Sequence, residues 1–286
     1  MKADLHLHTS ASDGRLEPRE LVGLAVKVGL DVIAITDHDS IDGVAPAIAA
    51  AQAYPSLTVI PGVELSTDVP RGEVHILGYF MDYTDVNLTA TLDGLRDSRK
   101  GRAIRMIAKL RDLGMEVQWR RVEELVQGGS VGRPHIAQAM LEAGHISSLR
   151  EAFDKYIGRN GPAYAEREKM TPAESVRLIL NARGLPVLAH PVDIEDLDIL
   201  LPELIKAGLV GIEVFYTKYT PETMSRLLTI AQQHKLIATG GTDYHHFEDG
   251  KEDSMGTVFI PSQSVEQLFS LADKRNLELI KGRKYP

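Results

Sequence analysis

The segment Asp4-Leu5-His6-Leu7-His8 constrains this chain more than any other. Side chains of a strand alternate faces, so His6 and His8 are expected on one side and Leu5 and Leu7 on the other. Two imidazoles side by side supply half of a metal site. Taken alone, the pair reads equally well as an edge strand with two exposed histidines. The arrangement recurs, however: later strand-like runs also end in His, Asp or Glu. A fold that gathers strand ends at one place accounts for that recurrence.

The 286 residues suit one large α/β domain, or one such domain with an inserted piece. A hydrophobic fraction of 43% is enough for a substantial core. The absence of cysteine rules out disulfides and thiolate ligands, so any metal must be held by His and carboxylate. It also fits a reducing cytosol. Residues 1–30 lack a basic segment followed by an apolar run, and no apolar stretch approaches about 18 residues. A soluble, cytoplasmic protein without a membrane partner is therefore expected. The net charge of −8 speaks against long duplex nucleic acid as a partner, because such binding needs a broad basic footprint. A small anionic substrate stays possible, since bound dications can reverse the sign of a pocket.

Strand and helix patterns alternate from Lys2 to about residue 86 and again from about 170. The run Asp31-Val32-Ile33-Ala34-Ile35-Thr36, nearly continuous in β-branched residues, reads as a strand buried on both faces. Thr171-Pro172-Ala173-Glu174 reads as a capped helix start. A strand is expected over Glu73–Phe80 and a last short one over Thr257–Ile260. Between them, residues 87–169 show only helical spacing. The expected organisation is a barrel domain of residues 1–86 and 170–286, interrupted by an inserted helical subdomain of 87–169. Seven or eight strand-helix pairs call for a closed or nearly closed parallel barrel. The competing open doubly wound sheet lacks its Gly-x-Gly-x-x-Gly turn after the first strand.

In a parallel barrel the C-terminal strand ends open on one face. His38, His190, Glu64 and Asp243 fall where strands give way to loops; His6, His8 and His75 lie in strands near their ends. Asp13 and His245 would overhang from loops. Nine donors exceed the about four that one zinc ion needs and point to two or three metals. Glu64 is the candidate bridge between ions roughly 4 Å apart.

Six motifs then make the chain resemble the PHP family, the polymerase and histidinol phosphatase superfamily of metal-dependent phosphoesterases. They are Asp-Leu-His-Leu-His-Thr with Ser12-Asp13, Thr36-Asp37-His38-Asp39, Pro61-Gly62-Val63-Glu64, Val74-His75-Ile76-Leu77-Gly78, Ala189-His190-Pro191 and Gly241-Thr242-Asp243-Tyr244-His245. The resemblance implies a distorted (β/α)7 barrel holding three divalent ions. His6, His8, Glu64 and Asp243 would hold one, Glu64, His75 and His190 the second, and Asp13, His38 and His245 the third. Manganese is the first expectation, with iron or zinc also compatible with an all-N/O ligand set. By resemblance to the small stand-alone members, the substrate would be a nucleoside 3′,5′-bisphosphate such as pAp, losing its 3′-phosphate. The alternative is 5′→3′ hydrolysis of short oligonucleotides. Clustered dications can supply a bridging hydroxide and neutralise phosphoryl oxygens, so no separate side-chain nucleophile is required.

Arg96, Arg99 and Arg102, three apart with Lys100 and Arg105 close by, form a cationic stripe in the helical segment, and Gly132-Arg133-Pro134-His135 opens a helix whose free N–H groups favour an anion. The plain reading is a solvated face. The functional one assigns Arg99, Lys100, Arg102, Arg133 and His135 to a second phosphate, with Ser12, Arg159 and Asn160 on the same rim. Glu213 sits at a ligand-like strand position without a metal in the family pattern; substrate or ligand contact and a structural role are both open. No protein partner is indicated. A catalytically idle metal-binding or regulatory module is the rival from another class. A histidinol-phosphate substrate and an amidohydrolase are further rivals, though no strand offers the bridging lysine of the latter.

Overall fold

The computed structural model describes residues 1–69, 72–126, 130–166, 170–245 and 255–275. The barrel half begins with β1 (Ala3–Leu7), α1 (Pro18–Lys27), β2 (Val32–Ile35) and α2 (Val44–Ala51). The long strand β3 (Thr58–Val69) and β4 (Gly72–Tyr79) follow. The helices α3 (Val86–Asp112), α4 (Trp119–Val126), α5 (Arg133–Glu142) and α6 (Leu149–Ala152) come next, the last continued by a π-turn over Phe153–Ile157. The second half runs α7 (Pro172–Asn181), β5 (Leu185–Leu188), α8 (Leu197–Ala207), β6 (Gly211–Tyr216), α9 (Pro221–His234), β7 (Ile237–Gly241) and α10 (Ser262–Lys274).

The seven strands pair in chain order, β1 to β7. The sheet is nearly closed by a parallel bridge between Leu7 and Tyr244, just past β7. The structure is an α/β barrel of the expected class, with two local corrections. First, β4 runs antiparallel to both β3 and β5. Only two residues separate β3 from β4, and a parallel return would need a crossover of a dozen or more. The reversed strand therefore offers its beginning to the rim where its neighbours offer their ends, and His75 opposes Ser66 there. Second, the run Thr257–Ile260 forms no strand.

The first strand also departs from simple alternation. Its register with β2 is irregular between Asp4 and Leu7. Leu5 packs with Val32, Ile60 and Val187, whereas Leu7 packs with Ile33, Ile35 and residues of α1 and α2. Such irregularities re-aim side chains beside active sites.

Local sequence explains the helix starts. Thr171 caps α7 and exchanges hydrogen bonds with Glu174, with Pro172 at the first position. Asp85 caps α3 through the Leu88 N–H. The helix α3 joins two cores. Leu88, Leu92 and Leu95 pack on the barrel, while Ala103, Met106 and Leu110 pack with α4–α6 residues such as Val122, Ile136 and Met140. Residues 167–169, at the expected end of the helical segment, and 276–286 of the expected barrel segment lie outside the described residues. Among the described residues no helix is long and apolar enough to cross a membrane.

Candidate metal centre

Six strands, or the loops leaving them, bring the nine sequence-selected donors together at the barrel rim. Five imidazoles converge on Glu64. Its Oε2 lies 3.2 Å from His6 Nε2, His8 Nε2 and His38 Nδ1. Its Oε1 lies 2.8 Å from His75 Nδ1 and 3.1 Å from His190 Nε2. Asp243 Oδ1 sits 3.3 Å from His6 Nε2 and 3.1 Å from His8 Nε2. Asp13 Oδ1 lies 3.2 Å from His245 Nε2, and its Oδ2 lies 3.9 Å from His38 Nε2. Three groups have ligand atoms mutually within 4.8 Å: His6, His8, Glu64 and Asp243; His38, Glu64 and His75; and His8, Asp13, His38 and His245. His38 thus stands between two groups, with one ring nitrogen toward each.

These donors fit cations. His6 Nε2, both ring nitrogens of His8, Asp13 Oδ1 and Glu64 Oε2 are buried without a hydrogen-bond partner. Native proteins rarely leave so many buried polar atoms unsatisfied in one place. They face one another at van der Waals separation, an arrangement that metal coordination satisfies. Protonation tells the same story. Burial disfavours a charged imidazole at His8, yet the Asp243 and Glu64 carboxylates, 3.1 and 3.2 Å from its Nε2, raise its pKa to about 10. Burial also works against the Glu64 carboxylate, but His38, His6 and His75 hold its pKa well below the usual range. His38, chiefly desolvated, is pushed down to about 3 and is therefore neutral.

Outer hydrogen bonds fix the donors. Glu213 Oε1 lies 3.1 Å from His6 Nδ1, and its Oε2 accepts the His190 N–H at 2.8 Å. Glu213 therefore orients two candidate ligands at once. His245 donates from Nδ1 to the Asp243 carbonyl at 2.8 Å, leaving Nε2 toward Asp13. Asp37 accepts from the Thr9 N–H, the Thr9 hydroxyl and the Ser12 hydroxyl, and so ties down the loop that carries Asp13. Asp4 accepts from the Thr242 N–H and hydroxyl and the Gly256 N–H beside Asp243. Asp39, His190 and Asp243 take left-handed φ values of 48°, 24° and 54°. Non-glycine residues there cost about 1–3 kcal/mol each and cluster at functional sites.

The cationic residues fall into two kinds. Arg99 is buried, donating from Nε to Asp39 Oδ2 and from Nη2 to the Ser66 hydroxyl, both at 2.6 Å. Lys100 is exposed, 3.8 Å from Glu123. Arg133 is hydrogen-bonded to Glu73. Arg102 is buried, its Nη2 4.0 Å from Glu73, and its Nε and Nη2 lack a hydrogen-bond partner. Burial and the neighbouring Arg133 lower its pKa. His135 accepts the Gly132 N–H on Nδ1, and burial lowers its pKa, so it is neutral with a proton on Nε2. Arg159 donates to the Val69 carbonyl at 3.0 Å, and Asn160 beside it is exposed. Ser12 is buried with its hydroxyl on Asp37, so it meets the loop rather than the mouth.

The PHP domain family matches residues 4–158 of this chain. The chain belongs to the PHP domain family. It is 33% identical over 247 residues to the 5′-3′ exoribonuclease Rnm of Escherichia coli, covering 85% of this chain and 84% of that protein. It is 32% identical over 268 residues to the 3′,5′-nucleoside bisphosphate phosphatase of Chromobacterium violaceum, covering 90% and 92%. A crystal structure from Bifidobacterium adolescentis assigned to the metal-dependent phosphoesterases superposes with a TM-score of 0.85 at 31% identity, covering 94% of this chain and 95% of that one. This PHP protein is accordingly a hydrolase of phosphoester bonds.

A cavity of about 430 Å³ opens over the PHP donors, floored by His38, Glu64, His75, His190 and Asp243. Its wall is Val192, Tyr216, Lys218 and Tyr219. Sequence reasoning did not select these wall residues, because no metal-like spacing marks them. It also passed over Asp4, Asp37 and Asp39 as site residues. Asp37 and Asp39 flank His38, and that flanking was the available signal.

Proposed function

We propose that this PHP protein removes the 3′-phosphate from nucleoside 3′,5′-bisphosphates, pAp giving AMP and phosphate, with three dications, manganese first among them. His6, His8, Glu64 and Asp243 would hold one ion, Glu64, His75 and His190 the second, and Asp13, His38 and His245 the third. Bound there, the ions would supply hydroxide at neutral pH and offset charge on the phosphoryl oxygens. The observation that carries the reading is the convergence of five imidazoles on one buried carboxylate with unpartnered donor atoms. The Chromobacterium relative's name supports the substrate.

The chain's own residues divide the work. Glu213 holds the His6 ring and the His190 backbone in place. Asp37 and Asp4 fix the loops bearing Asp13 and Asp243. Arg102, two of whose nitrogens lack a hydrogen-bond partner among the described residues, is the principal contact for the second phosphate, supported by Arg133, His135 and Lys100 of the 87–169 segment, which acts as a substrate-binding subdomain. Arg99 reaches the same rim but is committed to Asp39 and Ser66. Arg159 and Asn160 complete the rim. Such a protein would work in the cytoplasm on a small nucleotide, without a membrane or an obligate protein partner.

The Escherichia relative's name favours a second reading, 5′→3′ hydrolysis of short oligoribonucleotides. One panel tests both: pAp, mononucleotides, short oligoribonucleotides and histidinol phosphate, assayed with added manganese. Preferred release of phosphate from pAp is expected. Preference for histidinol phosphate would replace the substrate, and no hydrolysis of any ester would favour an idle metal-binding module.

A further inference from the structure

The candidate metal donors have unlike groups on their two sides. On one, Arg133 and Arg102 gather at Glu73. His75 follows two residues along β4, on the same face. Its ring centroid lies 5.0 Å from that of His190, which lies 6.2 Å from that of Tyr216. The donors therefore separate the two arginines from an aromatic wall formed by the end of β6 and the loop after it. We propose that this wall, Tyr216, Lys218 and Tyr219, docks the nucleotide joined to the 3′ side of the scissile phosphate when a short oligonucleotide occupies the site. The inference rests on the phosphoester reading above.

The chemistry sets the direction. Hydrolysis breaks the bond from phosphorus to O3′; water supplies the new oxygen, and the departing O3′ takes a proton. In an oligonucleotide that phosphorus also carries O5′ of the next nucleotide. With the 5′-phosphate on the cation flank, the next nucleotide must leave by the other one.

The wall is built for a base. Tyr216 donates its hydroxyl to Asp243 Oδ2 at 2.8 Å, anchoring the wall to a candidate ligand. The Tyr219 ring packs on it at 4.9 Å and 53°, and its hydroxyl accepts the Val192 N–H at 3.3 Å. Both rings line the cavity. A preset aromatic surface loses little freedom on binding. Bases of any sequence stack on such rings. Lys218 is exposed, its Nζ 5.8 Å from the Tyr216 ring, within reach of the following phosphate.

Two unreactive probes test the platform on the full, manganese-loaded chain. One is adenosine 5′-phosphate with a methylenephosphonate replacing the 3′-phosphate. The other has that phosphonate esterified to O5′ of a second adenosine. By calorimetry the dinucleotide probe should bind about tenfold more tightly, the worth of one stacked base. Tyr219→Leu should erase the gain and Tyr219→Phe keep it. Adding a 3′-terminal phosphate to the dinucleotide should tighten binding further, and Lys218→Ala should abolish that increment. Equal affinity of the two probes for the unmodified protein, absence of binding, or a gain that survives Tyr219→Leu would overturn the proposal. If pAp and oligonucleotides went unhydrolysed while the tenfold gain persisted, the phosphatase reading would fail and the platform would stand.

Discussion

The strand-end ring and the helical shell around it solve opposite electrostatic problems. In the ring, potential ligand atoms face one another: ring nitrogens and carboxylate oxygens approach to 3.1–3.3 Å, several of them without a hydrogen-bond partner among the described residues. In the shell, cations meet carboxylates that the barrel supplies, Arg96 on Asp42, Arg99 on Asp39 and Arg133 on Glu73. Arg102 is held more loosely. It is one helical turn from Arg99 and as deeply buried, yet it meets Glu73 only at 4.0 Å, and two of its guanidinium nitrogens have no hydrogen-bond partner among the described residues. Buried polar atoms without partners mark where a molecule expects something else to arrive. By that measure the ring expects cations and Arg102 an anion, while Arg99 is a strut.

Glu64 gives the largest test. Glu64→Ala removes the carboxylate on which five imidazoles converge. Loss of an outer partner of a metal ligand typically costs about 10–100-fold, and loss of this one should exceed that in both bound manganese and kcat/KM. Metal analysis after gel filtration alongside kinetics would check it. Retained stoichiometry would break the ring side of the comparison.

The two arginines come next. Arg99→Ala removes the guanidinium charge that faces the buried Asp39 carboxylate and should destabilise by about 3–5 kcal/mol in urea unfolding. Arg102→Ala removes a charge already disfavoured by burial and by Arg133, so stability should change little. Its effect should be a KM for pAp raised about 10–100-fold, as expected for losing a charge-assisted contact of about 1.5–3 kcal/mol. The reverse pattern, with Arg99 governing KM and Arg102 governing stability, would exchange their roles.

This division also shows what could be read in advance. The nine donors were legible because metal chemistry restricts residue type and strand spacing. The barrel was legible from runs such as Val32–Ile35, buried throughout. The direction of β4 was missed, since periodicity is the same for either direction and only the two-residue separation from β3 carried the information. The cationic stripe was seen, but not which cation was committed. Asp39 is 60 residues from Arg99, and nothing local pairs them. The role of Glu213 stayed open because it occupies a ligand-like strand position without a metal in the family pattern; a contact 207 residues away, to His6, makes it an orienting group.

Glu213 is accordingly a smaller test of the ring. Glu213→Gln keeps the size and one acceptor while removing the charge. Manganese affinity should weaken about tenfold, at the low end for such partners. Isothermal titration would measure it, and unchanged affinity would make Glu213 a packing residue only.

The smallest effect separates ring from shell by proton linkage. In the metal-free protein His8 has its pKa raised to about 10, burial being outweighed by Asp243 and Glu64, against about 6.5 unfolded. A raised histidine contributes stability that is complete below the unfolded value and lost as pH climbs through the folded one. His6, His190 and His245 are raised too, with the same sign. Glu64 and Asp243 are lowered, so their contribution fades only on acidification, and the contribution of His38, lowered to about 3, fades only below about 6.5. Between pH 7 and 10 the chelated protein should therefore lose melting temperature, on the order of 5 °C. Manganese must displace the same protons, so the stabilisation it adds should grow across that window. Arg102→Ala should leave both slopes intact, because its charge lies in the shell. A melting temperature of the chelated protein that rises from pH 7 to 10 would mean that protons do not hold the ring together when metal is removed.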